Sequence, residues 1–188
     1  MGDMDKNVKG SIFIALVKMI RKDKSGVFDK YLTDKDREII SQKILASTWY
    51  PYETFKHCLE AIFKVAAKND FEVAKDWGRL VCQEVMTNIY KSLMKDCDPF
   101  SFIKKYEVTH MNLYDFGKTE IIEEAKNRVI HKLSDFDGQF ALLFYIHQGW
   151  IEHGLELCGA KNVKSEFVTK SWEGHPFTSM RFTWTEQN

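Results

Sequence analysis

The 188 residues predict an α+β domain: a helical layer packed on a small antiparallel sheet, with a long central helix followed by a C-terminal β-hairpin. Three features carry that expectation. Apolar residues recur at helical spacing from residue 36 to residue 110, strict apolar–polar alternation closes the chain at 179–184, and between them 140–158 carries two apolar faces at once.

The stretch 11–20 is apolar and is followed by a polar break at 22–26, after which Ile39, Ile40, Ile44 and Leu45 give 36–46 a short helical pattern. Pro51 suits the first position of a helix, because its fixed φ is helical and its missing N–H would have no partner there. Tyr52, Phe55, Leu59, Ile62, Phe63 and Ala66 then recur at helical spacing. Asp70 is placed to cap a helix that runs to about Met94, with Trp77, Val81, Val85, Ile89 and Leu93 on one stripe. Beside that stripe, Ala74, Gly78 and Cys82 form a row of small residues on which another helix can close in. Asp98 followed by Pro99 repeats the cap-then-proline signature and opens a helix through Phe102, Ile103, Tyr106 and His110, which Gly117 ends.

Segment 118–133 fits helix or hairpin, and β-branched residues on both sides of 125–127 favour the hairpin. Asp135 or Asp137 then caps a helix with Phe140, Phe144, His147, Ile151, Leu155 and Cys158 on one face and Leu143, Ile146, Trp150 and Leu157 on a second; Gly159 stops it. Gln148, Glu152 and Glu156 remain as its polar stripe, so this helix must be covered on two sides and is expected to be central. Residues 163–172 and 177–185 read as strands joined by a turn at 173–176, with Met180, Phe182 and Trp184 facing the helices. No internal repeat or Gly/Pro-rich linker divides 1–188, which reads as a single domain.

Lys+Arg 27 against Asp+Glu 27 leaves no net field to draw the chain to nucleic acid or anionic lipid. The longest apolar run, 140–146, is too short to span a bilayer, so no transmembrane segment is expected. Cys58, Cys82, Cys97 and Cys158 are widely spaced and form no C-x-x-C pair, which argues against a zinc knuckle and for reduced, mostly buried thiols. The first ten residues lack an apolar leader, and Lys6 stands where a myristoylation signal has Ser or Thr. A cytoplasmic location is the expectation.

Phosphate-cradling, nucleophile-elbow and H-E-x-x-H motifs are all missing, so no catalytic residue is assigned and an enzyme is not expected. His147 and His153 lie roughly 240° apart around a helix axis and cannot share a metal, one reading as a core histidine and the other as a rim histidine. Neighbouring His57 and Cys58 fail for the same geometric reason, and Glu152 beside His153 reads as a solvated edge. What remains is the aromatic surplus, 14% of the chain. Trp49, Phe55, Leu59, Trp77, Phe140, Phe144, Trp150 and Ile151 either line an apolar cavity or simply fill a core, and His147 is the polar group best placed to orient a ligand among them.

Residues 145–184, YIHQGWIEHGLELCGAKNVKSEFVTKSWEGHPFTSMRFTW, resemble the end of the four-vinyl-reductase domain: a helix with spaced glycines, a small-residue exit, a strand, a glycine turn and a last strand ending in an aromatic. That arrangement belongs to a superfamily that joins this domain to haem–nitric-oxide-binding domains and to the TRAPP vesicle-tethering subunits. An uncharacterised myxobacterial paralogous family is similar over nearly the whole chain, through Lys9–Gly10, Trp49–Tyr50–Pro51 and Trp77–Gly78–Arg79. The resemblance implies ligand binding or assembly rather than catalysis. Zinc-containing members carry cysteines around the last glycine turn, where this chain has Lys170, Thr178 and Met180. Haem-binding members carry Tyr-x-Ser-x-Arg before the long last helix, where this chain has His131, Lys132, Leu133, Ser134 and Asp135; Phe177, Ser179 and Arg181 repeat the spacing after the helix, on the wrong strand. Neither metal nor cofactor is therefore expected.

Two functions stay open. One is a non-catalytic sensory or carrier domain that encloses a small apolar molecule between the Pro51 helix, the Asp70 helix and the central helix. The other is a scaffolding module like the TRAPP subunits, using helix faces to dimerise or hold a protein partner. A pocket and a core are written in the same residue types, so the sequence does not separate them.

Overall fold

The computed structural model describes residues 6–88 and 97–186. They divide into two units, one comprising residues up to Asp70 together with Met111–Phe116, the other Phe71–His110 together with residues from Gly117 onward.

The first unit runs β1 (Asn7–Lys9), α1 (Gly10–Lys22), α2 (Asp34–Ser41), β2 (Trp49–Pro51) and α3 (Tyr52–Ala66). β1 and β2 pair antiparallel with Val8 opposite Tyr50, strands too short to show any alternation in sequence. At the β1–α1 junction only glycine fits, since a Cβ on Gly10 would lie 2.1 Å from the Leu45 carbonyl oxygen. Phe13 packs edge-on to Tyr50 at 5.8 Å and to Phe55 at 6.1 Å, which forms the core of this unit. A capping box between Thr33 and Asp36 starts α2, and the same buried Asp36 carboxylate accepts a hydrogen bond at 2.8 Å from His57 on α3. Burial pushes the Asp36 carboxyl up, but hydrogen bonds from Thr33, Thr54 and His57 outweigh it and hold the group below its ordinary value. α2 ends at Ser41 rather than near residue 46, because the Arg21 guanidinium donates to the carbonyls of Ile40 and Gln42 and closes the helix there. Pro51 sits just before α3 as its N-cap, one position earlier than expected.

The second unit holds α4 (Phe71–Asn88), α5 (Pro99–Leu113, its last residues belonging to the first unit), β3 (Lys118–Ala125), β4 (Arg128–Ser134), α6 (Ala141–Leu157), β5 (Lys161–Thr169) and β6 (Thr178–Thr185). Ile89 and Leu93, on the stripe read for the Asp70 helix, lie outside the described residues. Asp98 does cap α5, its Oδ1 accepting from the N–H groups of Phe100 at 3.0 Å and Ser101 at 2.9 Å. The 118–133 segment is a hairpin, as its β-branched residues indicate. α6 has no side-chain cap: Phe140 is its N-cap, and Asp137 instead accepts from the Gln139 N–H at 3.3 Å, inside the turn that precedes the helix. The sheet order is β3-β4-β6-β5, all antiparallel, so β6 lies between β4 and β5. Met180, Phe182 and Trp184 are all buried in one cluster with Phe102, Tyr106 and Trp150 from the helices, as the alternation predicts. The strand expected through Trp172 stops at Thr169, and Ser171–Glu173 is a 3-10 turn closed by Gly174 at φ 97°.

α6 packs against α4 through backbone rather than through large side chains. A Cβ on Gly78 would fall 2.0 Å from the Ile146 carbonyl oxygen, and one on Gly149 would fall 1.9 Å from that of Lys75. The buried row on α4 is accordingly Ala74, Gly78, Cys82 and Met86, whereas Trp77, Val81 and Val85 are only partly buried. Among the described residues no helix is long and apolar enough to cross a membrane.

These contacts make a testable statement. Gly149→Ala should destabilise the chain by about 1–3 kcal/mol through overpacking, whereas Leu80→Ala at an exposed position of the facing helix α4 should change stability by no more than about 0.5 kcal/mol. Equilibrium denaturation of both variants checks it; equal losses would contradict the close helix contact.

Candidate functional site

Three elements bring the histidines of the second unit together in its interior. α5 turns Phe102, Tyr106 and His110 to one face by their spacing of four, β4 alternates Val129, His131 and Leu133 inward, and α6 supplies Phe144, His147, Trp150 and Ile151. Tyr106 meets the His131 ring at 5.0 Å, His147 at 6.2 Å and Trp150 at 5.2 Å between centroids. His110 stands edge-on to His147 at 6.4 Å and to Phe136 at 5.5 Å. His110, His131 and His147 are all buried.

His131 is the most extreme member. It is wholly inaccessible, and neither ring nitrogen meets a hydrogen-bond partner among the described residues. A buried polar group left in that state costs about 1–3 kcal/mol on mutational scales. Burial, with the nearby His110 second, pulls the His131 imidazole down to about 3, and burial with His110 and His131 holds His147 well below the ordinary histidine range. Both rings are neutral at physiological pH, each able to offer one donor and one acceptor.

Beside this cluster lies a cavity of about 30 Å³ lined by Met86, Cys97, Phe102, Lys105, Tyr106, Thr109 and Trp150. It has room for a water-sized guest. Its inner wall is a stacked pair, Phe102 and Trp150 at 5.5 Å. Phe102 also lies over Gly154, where a Cβ would fall 1.8 Å from the ring, so this glycine is what lets α5 reach α6.

Of the residues assigned to a pocket from sequence, Trp150 lines this cavity. Phe144, His147 and Ile151 lie on the same helix in the surrounding core, Phe144 tilted on Trp172 at 5.3 Å, and Phe140 is buried at the start of that helix. Trp77 is half-buried on α4. Phe55 and Leu59 are buried in α3 of the first unit, while Trp49 stands on β2, 39% exposed, with the Lys9 ammonium 3.8 Å over its ring. His110 and His131 belong to the cluster but were not assigned from sequence; the alternation of Val129, His131 and Leu133 on a predicted strand was the available signal.

Glu152 also departs from expectation. It is buried rather than a solvated edge, bridged by Lys75 at 2.8 Å and Arg79 at 3.2 Å from α4 and hydrogen-bonded by Ser165 from β5. Gln148 donates to the same Ser165 hydroxyl at 2.7 Å, and Glu156 pairs with Arg79 at 2.6 Å. The polar stripe of α6 is thus a largely buried seam, satisfied by α4, four elements earlier in the chain, and by β5, the next element after it. His153 sits at its rim, between Glu156 at 3.1 Å and Gln83 at 2.7 Å.

No protein-family model matches the chain, and no curated protein matches it in sequence. Solved structures do match. An H-NOX protein from S. oneidensis in the Fe(II)NO ligation state superposes with a TM-score of 0.70 over 95% of this chain and 99% of that one, at 12% identity. A variant H-NOX protein from K. algicida, Fe(II) unliganded, gives 0.66 over 95% and 97%, also at 12% identity. An oxygen binding H-NOX domain related to soluble guanylate cyclases gives 0.64 over 96% and 100%, at 14% identity. This is the H-NOX fold. At such identities the likeness is one of fold, and it is to H-NOX structures, not to the four-vinyl-reductase, TRAPP or myxobacterial proteins that the sequence resembles.

Within that fold the neutral His131 makes stability depend on pH. An unfolded chain takes up a proton at this ring near 6.5, whereas the folded chain resists until about 3. Between those values the unfolded state binds more protons, so the stability is complete above 6.5 and is lost progressively as pH falls. Thermal melts from about pH 7 to about pH 4 should show Tm falling in the wild type and falling less steeply in His131→Phe; parallel curves would contradict the assignment.

Proposed function

We propose that the chain is a non-catalytic sensory or carrier domain that takes a small apolar molecule into the cavity beside Trp150. The cavity carries this reading: its wall is apolar and aromatic, its rim bears Lys105 and Thr109, and flexible Met86 lets it adjust to a guest. The likeness to an oxygen binding H-NOX domain supports it, as does the share of both chains that each superposition covers, which also supports treating 1–188 as one domain. Phe144, His147 and Ile151 of α6 back the wall, and a neutral His147 suits an uncharged guest. Free cysteines fit a cytoplasmic setting.

The cavity beside Trp150 is too small to hold a haem. The solved neighbours include one described for its haem redox potential and porphyrin distortion. Here, His110 is packed on Phe136 and His147 and lies 3.2 Å from where a Cβ of Gly117 would stand. The cavity of about 30 Å³ is far below the 300–1,000 Å³ of drug-sized sites. Arg181, whose spacing mimics a propionate-binding arginine, is held by Glu124 and Glu166 at 2.8 and 2.7 Å. The guest therefore has only a few heavy atoms, or displaces the Phe102–Trp150 pair.

Native mass spectrometry of the full chain purified from its own host is the test. The expected result is a retained small mass in the wild type that disappears in Thr109→Phe, which fills the rim, while the variant keeps its wild-type Tm. A bare chain in both proteins, accompanied by a stable dimer, would favour the scaffolding role instead.

A further inference from the structure

His131 carries hydrogen-bonding capacity that nothing among the described residues uses. Its ring is 0% exposed, and neither Nδ1 nor Nε2 has a partner. Strand alternation puts it there: β4 turns Val129, His131 and Leu133 inward, and the pairing of β4 with β6 sets Met180 opposite His131. On the helical side the Tyr106 and His131 rings meet edge to face, their centroids 5.0 Å apart and their planes at 84°. Tyr106 also lines the cavity, with Trp150 5.2 Å away. One aromatic ring therefore touches both the cavity and the unpartnered imidazole.

We propose, resting on the cavity reading above, that the guest is an uncharged short-chain alcohol rather than a purely apolar molecule, and that His131, behind Tyr106, is the group that recognises its hydroxyl. Size sets the first limit. A single water needs roughly 10–15 Å³ of such space, so a cavity of about 30 Å³ admits an apolar body of a few heavy atoms and one polar head. Charge sets the second. Burial keeps the His131 ring neutral, and Tyr106 and Met180, which meet it from α5 and β6, offer no opposite charge to a charged head.

A hydroxyl matches a neutral imidazole because each offers a donor and an acceptor, so either ring tautomer can bond it. Selectivity comes from the group left unmet. An alcohol satisfies a ring nitrogen that otherwise stays desolvated and unpaired, whereas an apolar guest of the same size leaves that penalty standing. Tyr106 controls the way in. Its neighbours on the cavity rim are Lys105 and Thr109, so a turn of the ring toward that rim carries its hydroxyl to polar surroundings and opens the cavity onto His131. The opposite wall stays in place, since Trp150 is stacked on Phe102 at 5.5 Å.

The test titrates the full chain, labelled with nitrogen-15 in its histidine rings, with ethanol and separately with xenon, which fills apolar space without hydrogen bonding. Ethanol should move the His131 ring nitrogens along a saturating curve, and its dissociation constant should rise about three- to tenfold in His131→Phe, the span of one lost hydrogen bond. Xenon, followed by its own resonance, should bind wild type and variant with constants within about twofold of each other. Xenon binding without a saturating shift at His131, or an ethanol affinity unchanged in His131→Phe, would overturn the hydroxyl site and leave the cavity reading standing. Failure of both probes to bind would remove the cavity reading and the hydroxyl site together. The wild-type titrations decide between these outcomes even if His131→Phe does not fold.

Discussion

The close approach of α4 to α6 is the constraint on which the second unit depends. Two helices whose glycines each admit the other's carbonyl oxygens lie nearer than side chains would allow, and the gain is dispersion contact along the whole interface. That proximity brings Lys75 and Arg79 within reach of Glu152. A buried carboxylate is costly unless it is paired and hydrogen-bonded, and here two cations and the Ser165 hydroxyl meet that requirement. The seam and the glycines are therefore one device: the glycines set the distance and the charges fix the register.

With one face of α6 committed to α4, its other face is free to meet α5 and the sheet. That second interface is aromatic and imidazole-rich, and the imidazoles are kept neutral by burial and by each other. Neutral histidines in an apolar interior retain hydrogen-bonding capacity without net charge. His131, whose ring nitrogens find no partner among the described residues, shows that this core is not optimised for stability alone.

The fold is shared with H-NOX proteins at 12% identity, and a fold alone does not fix the chemistry of its interior. In this chain, aromatic side chains occupy the space between α5 and α6, and the strand before α6 presents His131 and Leu133 inward. The chemistry of the interior belongs to those side chains, and the fold supplies their positions.

The sequence by itself determined the elements whose signals are local. Alternation at 179–184 specified β6 and its buried face, Asp98 with Pro99 specified the start of α5, Gly159 the end of α6, and the row Ala74, Gly78 and Cys82 the face on which α6 closes. Each rests on a period or a cap that few neighbours can override. Tertiary structure decided the rest. α2 ends where Arg21, from another helix, satisfies its carbonyls. Glu152 reads as solvated in a helical pattern and is buried because α4 and β5 bring it partners. Trp49 reads as a pocket residue and stands at the surface, because a three-residue pairing with β1 sets its direction. Burial and pairing between distant segments leave no periodic trace in either of them, so a buried polar seam, an exposed tryptophan and a cluster of histidines from three elements became visible only when the chain was folded.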